Sequence, residues 1–215
     1  MQRPQIGTRE GDVPLAAYRL PRGRHGLPAE KVAENQRLRL LGAAAEVLVE
    51  RGYARTTSRA IAARAGVSPR TFYDHFDDLG ACLLAIHGIA ATYVLEGVLE
   101  VCQEDGDWPV RLREAVDVAF DFLVAEPALA WLLSAEARAG EAAIEAATED
   151  LIERLAELLR GIRDERDRLM PGAERHLIAG AFAFLSDRLA ASRVASLPEL
   201  APELAELLAL PTLAI

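Results

Sequence analysis

Along most of this 215-residue chain, apolar residues recur at intervals of three and four, the spacing that gathers them on one face of an α-helix. The first 28 residues are the exception. Pro4, Gly7, Gly11, Pro14, Pro21, Gly23, Gly26 and Pro28 leave no period there, which predicts a flexible arm. Periodicity begins near Ala29 with a stripe of Leu38, Leu41, Ala45 and Leu48, and Gly52 is placed to stop that helix. Thr57 precedes a short run carrying Ile61, Ala62 and Ala65, which Gly66 breaks. Ser68-Pro69 opens another short run, with serine as cap and proline at the first helical position, where a missing N–H costs nothing. Asp77-Asp78 can cap a long helix from Leu79 to Cys102 with a stripe of Leu83, Ile86, Ala90 and Tyr93. Further helices are predicted over Val110–Ala125, from Pro127 through Trp131 to about Arg138, and after Gly140 with Ile144, Leu151, Leu155, Leu158 and Ile162. Residues 173–192 carry a broad apolar face (Leu177, Ile178, Ala181, Phe182, Leu185, Leu189), and Pro198 opens a last helix with Leu200, Leu204, Leu207 and Leu208. No segment alternates with period two for long enough to predict a strand. The expected fold is all-α, with about nine helices.

Composition narrows this little. With 51% hydrophobic and 27% charged residues the chain is not a disordered one. No apolar run approaches the ~18 residues that span a bilayer. The first twenty residues hold Arg3, Arg9, Glu10 and Asp12 with no apolar segment, so no secretory signal is expected and a cytoplasmic location is. Charge changes the picture more. The net charge of −9 argues against a nucleic-acid partner until the chain is divided. Residues 1–76 hold 13 Lys+Arg against 7 Asp+Glu, or +6; residues 77–215 hold 11 against 26, or −15. A basic front suits phosphate, and an acidic back is kept away from it. Arginine supplies 23 of the 24 basic residues in a chain also rich in alanine, a mark of base-composition bias. The asymmetry therefore carries the argument, not the arginine count.

The informative stretch is TTSRAIAARAGVSPRTFYDHF, Thr56 to Phe76. Two short helices around a tight turn at Gly66-Val67 fit a helix-turn-helix, with Gly66 where the chain needs positive φ. Ile61, Ala62, Val67 and Phe72 are spaced to lock the helices together. Ser68, Arg70, Thr71, Tyr73, Asp74 and His75 are expected to face outward from the second, which in such motifs enters the major groove by its N-terminal residues. A threonine pair, an Ile-Ala step, Ala-Gly-Val-Ser and a Thr-aromatic-Tyr-x-His-Phe ending together make residues 34–85 resemble the DNA-binding domain of the TetR family of bacterial transcriptional regulators.

That resemblance implies roles for individual residues. Ser68, Pro69 and Arg70 stand where the family's recognition helix meets base edges, with Arg70 placed to read guanine. Thr57, Thr71, Tyr73 and His75 stand where the family touches phosphates, and Arg59 is placed to add one such contact. One departure stands out: the family's phosphate-touching lysine, just after the His-Phe ending, is Leu79 here, preceded by Asp77-Asp78. In the arm, Pro21-Arg22-Gly23-Arg24 resembles the core of an AT-hook, in which Arg22 and Arg24 would enter an A·T-rich minor groove; the other reading is a tail without function. The implied organisation is a flexible basic arm (1–28), a three-helix helix-turn-helix domain (29–78) and a helical ligand-binding and dimerisation domain (79–215).

The remaining chemistry is sparse. Cys82 and Cys102 lie on one predicted helix, ~30 Å apart at 1.5 Å per residue, so no internal disulfide is expected. His25, His75, His87 and His176 never fall at ligand spacing, and no metal, cofactor or catalytic residue is expected. Trp108, Trp131, Phe120, Phe122, Phe182 and Phe184 read as core, some of them lining an effector cavity. His87, Glu136 and Arg138 are candidate polar groups for that cavity or else capping and solvent-facing residues; no ligand-binding residue is assigned. The helices over roughly 173–210 are the candidate homodimer face or else complete the monomer core. The expected function is a DNA-binding regulator, a repressor released from a pseudo-palindromic operator by an unidentified small molecule, with no membrane partner. Two alternatives stay open: an activator or architectural DNA binder, and a ligand-binding or interaction module with weakened DNA binding.

Overall fold

The computed structural model describes residues 28–132, 142–163, 170–190 and 197–209. Arg22, Arg24, Glu136 and Arg138 lie outside them. Among the described residues all regular structure is helical, in nine α-helices and one 3-10 turn. We number them α1 (Ala29–Arg51), α2 (Ser58–Ala65), α3 (Pro69–His75), α4 (Leu79–Cys102), α5 (Trp108–Ala125), α6 (Pro127–Leu132), α7 (Ala142–Ile162), α8 (Ala173–Ala190) and α9 (Leu197–Ala209); the 3-10 turn is Tyr53–Arg55. The chain divides into two compact units, one ending at Cys82 and the other starting at Leu83, so the division falls inside α4.

The first unit is built by local stop and start signals. Gly52 ends α1 with φ 72°, and its N–H reaches Leu48 O at 2.9 Å. Thr56 is buried and donates its hydroxyl to Gly52 O at 2.8 Å, which fixes the short turn before α2. The apolar faces of α1 (Leu40, Leu41, Ala44, Leu48), α2 (Ile61, Ala62, Ala65) and α3 (Phe72) are buried, and α2 packs on both α1 and α3. Asp78 accepts the Ala81 N–H at 2.7 Å and so caps α4.

In the second unit a core runs through α5, α6, α7, α8 and α9, from Trp108, Val116 and Phe120 to Leu151, Ala156, Phe182 and Leu204. The C-terminal half of α4 joins this unit through Val94 and Val98, which pack with Ala115 of α5. His87 is buried among apolar residues, where its Nε2 lies 3.0 Å from Thr148 Oγ1. The Thr148 hydroxyl already donates to Ile144 O at 2.8 Å, so the imidazole donates to it. Burial pushes the His87 pKa below its ordinary value.

Three expectations are corrected. Tyr93 is 43% exposed, stacked on Phe122 at 5.4 Å, and Val94 takes the core position. Leu207 is 42% exposed, and the buried stripe of α9 is Ala201, Leu204, Ala205 and Leu208. Both errors are shifts of helical phase by a residue, on helices whose alanines make several faces equally apolar. Thirdly, α4 is long and apolar enough, by length and composition alone, to cross a membrane. Counting uninterrupted apolar residues missed it, because isolated polar positions such as His87 and Thr92 break the run without lowering the average much. Cores of globular proteins contain such helices, and Leu83, Ile86, Ala90, Val94 and Val98 of α4 are buried. The helix is continuous from Cys82 to Cys102, and both cysteines are free.

Candidate nucleic-acid interface and buried cavity

The turn between α2 and α3 sets the geometry of the outward face. Gly66 adopts φ 66°, ψ 36°, the left-handed region that side chains with a Cβ disfavour. Its N–H reaches Ala63 O at 3.2 Å, and that of Val67 reaches Ala62 O at 3.0 Å, so the last carbonyls of α2 are satisfied. Arg39 of α1 donates to Ala65 O from the other side and holds the turn against α1. Ser68 caps α3 by accepting the Thr71 N–H at 3.0 Å, with Pro69 in the first turn. Phe72 is fully buried and lies against the rings of Tyr73 (5.3 Å) and Phe76 (5.6 Å). This anchors one face of a seven-residue helix and leaves the other open.

The residues singled out from sequence fall as follows. Ser68, Pro69 and Arg70 are exposed at the N-terminus of α3. Arg70 makes no hydrogen bond or ion pair among the described residues. Thr71 is half-buried, with Oγ1 2.9 Å from Ser68 Oγ. Tyr73 is 56% exposed, and its hydroxyl stands 3.0 Å from Ser58 Oγ of α2. Thr57 is exposed and caps α2, accepting the Ala60 N–H at 3.2 Å; Arg59, two residues on, is exposed. His75 is half-buried, its Nε2 3.4 Å from Gln36 Oε1 of α1, so it ties α3 to α1. Leu79 is half-buried at the start of α4, and no lysine replaces it nearby.

Other arginines of this unit are spent on the fold. Arg64 pairs with Glu46 at 2.8 Å and Glu50 at 2.5 Å, which holds the Glu50 carboxyl below its usual range. Arg37 lies over the Phe76 ring at 5.3 Å. Arg39 props the turn. Arg59 and Arg70 carry charge with no carboxylate partner among the described residues. One residue was missed: Arg51 lines a surface depression together with Thr57, Arg59, Ala60, Ala63 and Arg64. From sequence, Arg51 reads only as a cation at the end of a helix. Only folding brings it beside the first turn of α2.

The second unit holds a partly open cavity of about 110 Å³ lined wholly by apolar side chains and Cys102. Val98, Ala115, Phe120, Leu159, Phe182 and Leu204 show the spread, one or two from each of α4, α5, α7, α8 and α9. Phe120 and Phe182 thus combine core and cavity positions. His87 does not line the cavity; it is committed to Thr148. Its side chains offer water no strong hydrogen-bond partner.

Known proteins resemble this chain over part of its sequence and in its fold. Residues 40–86 match the family described as "Bacterial regulatory proteins, tetR family". Over 122 residues the chain is 35% identical to the HTH-type transcriptional activator FasR of Mycolicibacterium smegmatis, covering 57% of this chain and 48% of that protein. The chain thus spans about half the length of the curated relative it matches. The fold is shared with the fatty acid degradation regulator FadR of Bacillus halodurans, with a TM-score of 0.67, 18% identity, and 80% of this chain and 96% of that one covered. It is shared equally with FadR of Bacillus subtilis, solved in complex with stearoyl-CoA, with a TM-score of 0.68, 20% identity, and 81% and 98% covered.

Proposed function

The chain belongs to the TetR family of bacterial regulatory proteins, and from that premise we propose that it is a cytoplasmic, homodimeric transcriptional regulator whose effector carries a long acyl chain. The DNA-binding domain is residues 29–78, reading a pseudo-palindromic operator through α3. Arg70 reads a base edge, and Ser68 and Pro69 set its approach. Thr57, Arg59, Thr71, Tyr73 and His75 position the helix on phosphates, with Arg51 added to that set. Two copies, joined through α8 and α9, place two recognition helices about 34–36 Å apart in successive major grooves. Arg22 and Arg24 of the arm extend the contact into the flanking minor groove.

The observation that carries the effector reading is the wholly apolar cavity. A protein of the same fold solved in complex with stearoyl-CoA supports this chemical class. At about 110 Å³ the cavity is smaller than the ~150 Å³ void that admits benzene, so a long chain enters only by parting the walls. Each buried methylene contributes ~0.8 kcal/mol. Seven of them therefore supply the ~5.5 kcal/mol needed to turn a 1:99 equilibrium into 99:1. In this reading the acyl chain works as a wedge, and release of the operator follows. The 35% match to a protein named as an activator supports a second reading, in which the same ligand favours the DNA-bound state. Labelled promoter DNA titrated with the protein, with and without palmitoyl-CoA, tests both: lower affinity supports a repressor, higher affinity an activator, and no change contradicts an acyl effector.

A further inference from the structure

An effector with an acyl chain also has a polar end, and the cavity wall offers that end nothing. The polar chemistry lies at one margin of the cavity, around Cys102, Ile162 and Leu208. These three lining residues sit at or next to the C-terminal ends of α4, α7 and α9. Arg111, in the first turn of α5, bridges two of them: Nη1 donates to Cys102 O at 3.0 Å and Nη2 to Ile162 O at 3.3 Å. Arg163, buried, donates to Leu208 O and lies over the Trp108 ring at 4.7 Å.

Two features of Arg111 go beyond the capping of helix ends. Its charge has no carboxylate partner among the described residues, although the residue is half-buried. Its Nε is buried and has no hydrogen-bond partner. A guanidinium has five N–H donors, and the two carbonyls take two of them. The remaining three include Nε and one hydrogen on each terminal nitrogen, and Nε with its neighbour forms the edge that receives an anion in bidentate fashion. The two helix-end carbonyls add partial negative charge that holds the Arg111 guanidinium in place without neutralising it.

We propose that Arg111 receives the anionic head group of the effector whose apolar chain fills the cavity. The proposal rests on the acyl reading given above. The shared chemistry is an anionic oxygen pair at the end of a long chain, either the carboxylate of a free fatty acid or the phosphates of an acyl-CoA. Arg111 then selects against neutral lipids of the same length, and the cavity sets the length.

The test is binding of palmitate, palmitoyl-CoA and 1-hexadecanol to the full chain, followed by Trp emission, in wild type, Arg111→Met and Arg111→Lys. Wild type is expected to prefer at least one anion over the alcohol by tenfold or more. Arg111→Met is expected to lose that preference while binding hexadecanol within twofold of wild type, and Arg111→Lys to retain part of it. Loss confined to palmitate identifies the carboxylate as the partner; loss confined to palmitoyl-CoA identifies the phosphates. If Arg111→Met does not fold, Arg111→Lys with a full wild-type preference overturns the bidentate role. Hexadecanol bound as tightly as both anions by wild type, or an unchanged preference in Arg111→Met, overturns the head-group assignment and leaves the cavity reading intact. Failure of all three ligands to bind wild type overturns the acyl reading with it.

Discussion

Filling the cavity separates ligand response from DNA binding, and Ala115→Leu is the sharpest way to do it. Ala115 lies on α5, lines the cavity and is 4% exposed. Leucine adds three carbon groups. At ~0.8 kcal/mol per buried group they contribute about 2.4 kcal/mol if the void receives them. The void gives the same scale independently: about 110 Å³ at ~24 cal/mol per Å³ comes to about 2.6 kcal/mol for complete filling. Fixing a leucine rotamer returns ~0.5–1 kcal/mol, and imperfect fit returns more. A net gain of about 1–2 kcal/mol is expected, or a melting temperature higher by roughly 3–6 °C for a chain of this size. The space an acyl chain needs is then occupied, so palmitoyl-CoA affinity should fall at least 100-fold. DNA affinity should stay within twofold of wild type, because every proposed DNA contact lies before Cys82. Calorimetric melting, ligand titration and DNA anisotropy read the three quantities. A lower melting temperature would mean that the leucine does not enter the void. Unchanged ligand affinity in a stabilised variant would place the effector elsewhere and refute the reasoning.

Other outcomes follow from particular residues. Arg70→Ala should remove preference at one base pair of each half-site, at a cost of about 1–3 kcal/mol on the preferred sequence; uniform weakening across all sequences would make Arg70 a phosphate contact instead. Gly66→Ala forces a Cβ into left-handed backbone and to within 3.1 Å of Arg39 Nη2. It should lower stability by ~1–2 kcal/mol in urea and weaken DNA binding, and a variant as stable as wild type would contradict the turn geometry. His87 is buried with a lowered pKa, so below the unfolded value of ~6.5 the unfolded chain binds the extra proton. Stability should be flat above that pH on this account and fall below it by at most ~1.4 kcal/mol per unit. Burial raises the Glu126 carboxyl and acts in the opposite direction, so the comparison is with His87→Gln, which should lose less stability than wild type between pH 7 and pH 5. An equal loss in both would remove His87 as the cause.

The helix-turn-helix was legible because its instructions are local. Gly52, Thr57, Gly66, Ser68-Pro69 and Asp78 each act within four residues, and each does in the structure what its type and place predict. The burial of Ile61, Ala62 and Phe72 follows from the same spacing. Helical phase was less legible. On α4 and α9 the alanines and leucines make adjacent faces equally apolar, and only the partners decide between Tyr93 and Val94 or between Leu207 and Leu208. What sequence could not supply were contacts between distant residues. Arg39 holds a carbonyl 26 positions away, Arg64 a carboxylate 18 positions away, and the His87–Thr148 pair spans 61. The cavity belongs to this class. Its lining comes from five helices, and Arg111 reaches its margin by bridging two of their ends.

The central claim is that one chain binds both operator DNA and an acyl ligand, and that the two equilibria are linked. The most direct measurement is the affinity for promoter DNA at several fixed palmitoyl-CoA concentrations, paired with palmitoyl-CoA affinity with and without saturating DNA. Linkage requires the same factor in both directions. The account predicts a factor of tenfold or more, equal within error in the two titrations. Tight binding of the ligand with a factor of one in both would contradict it.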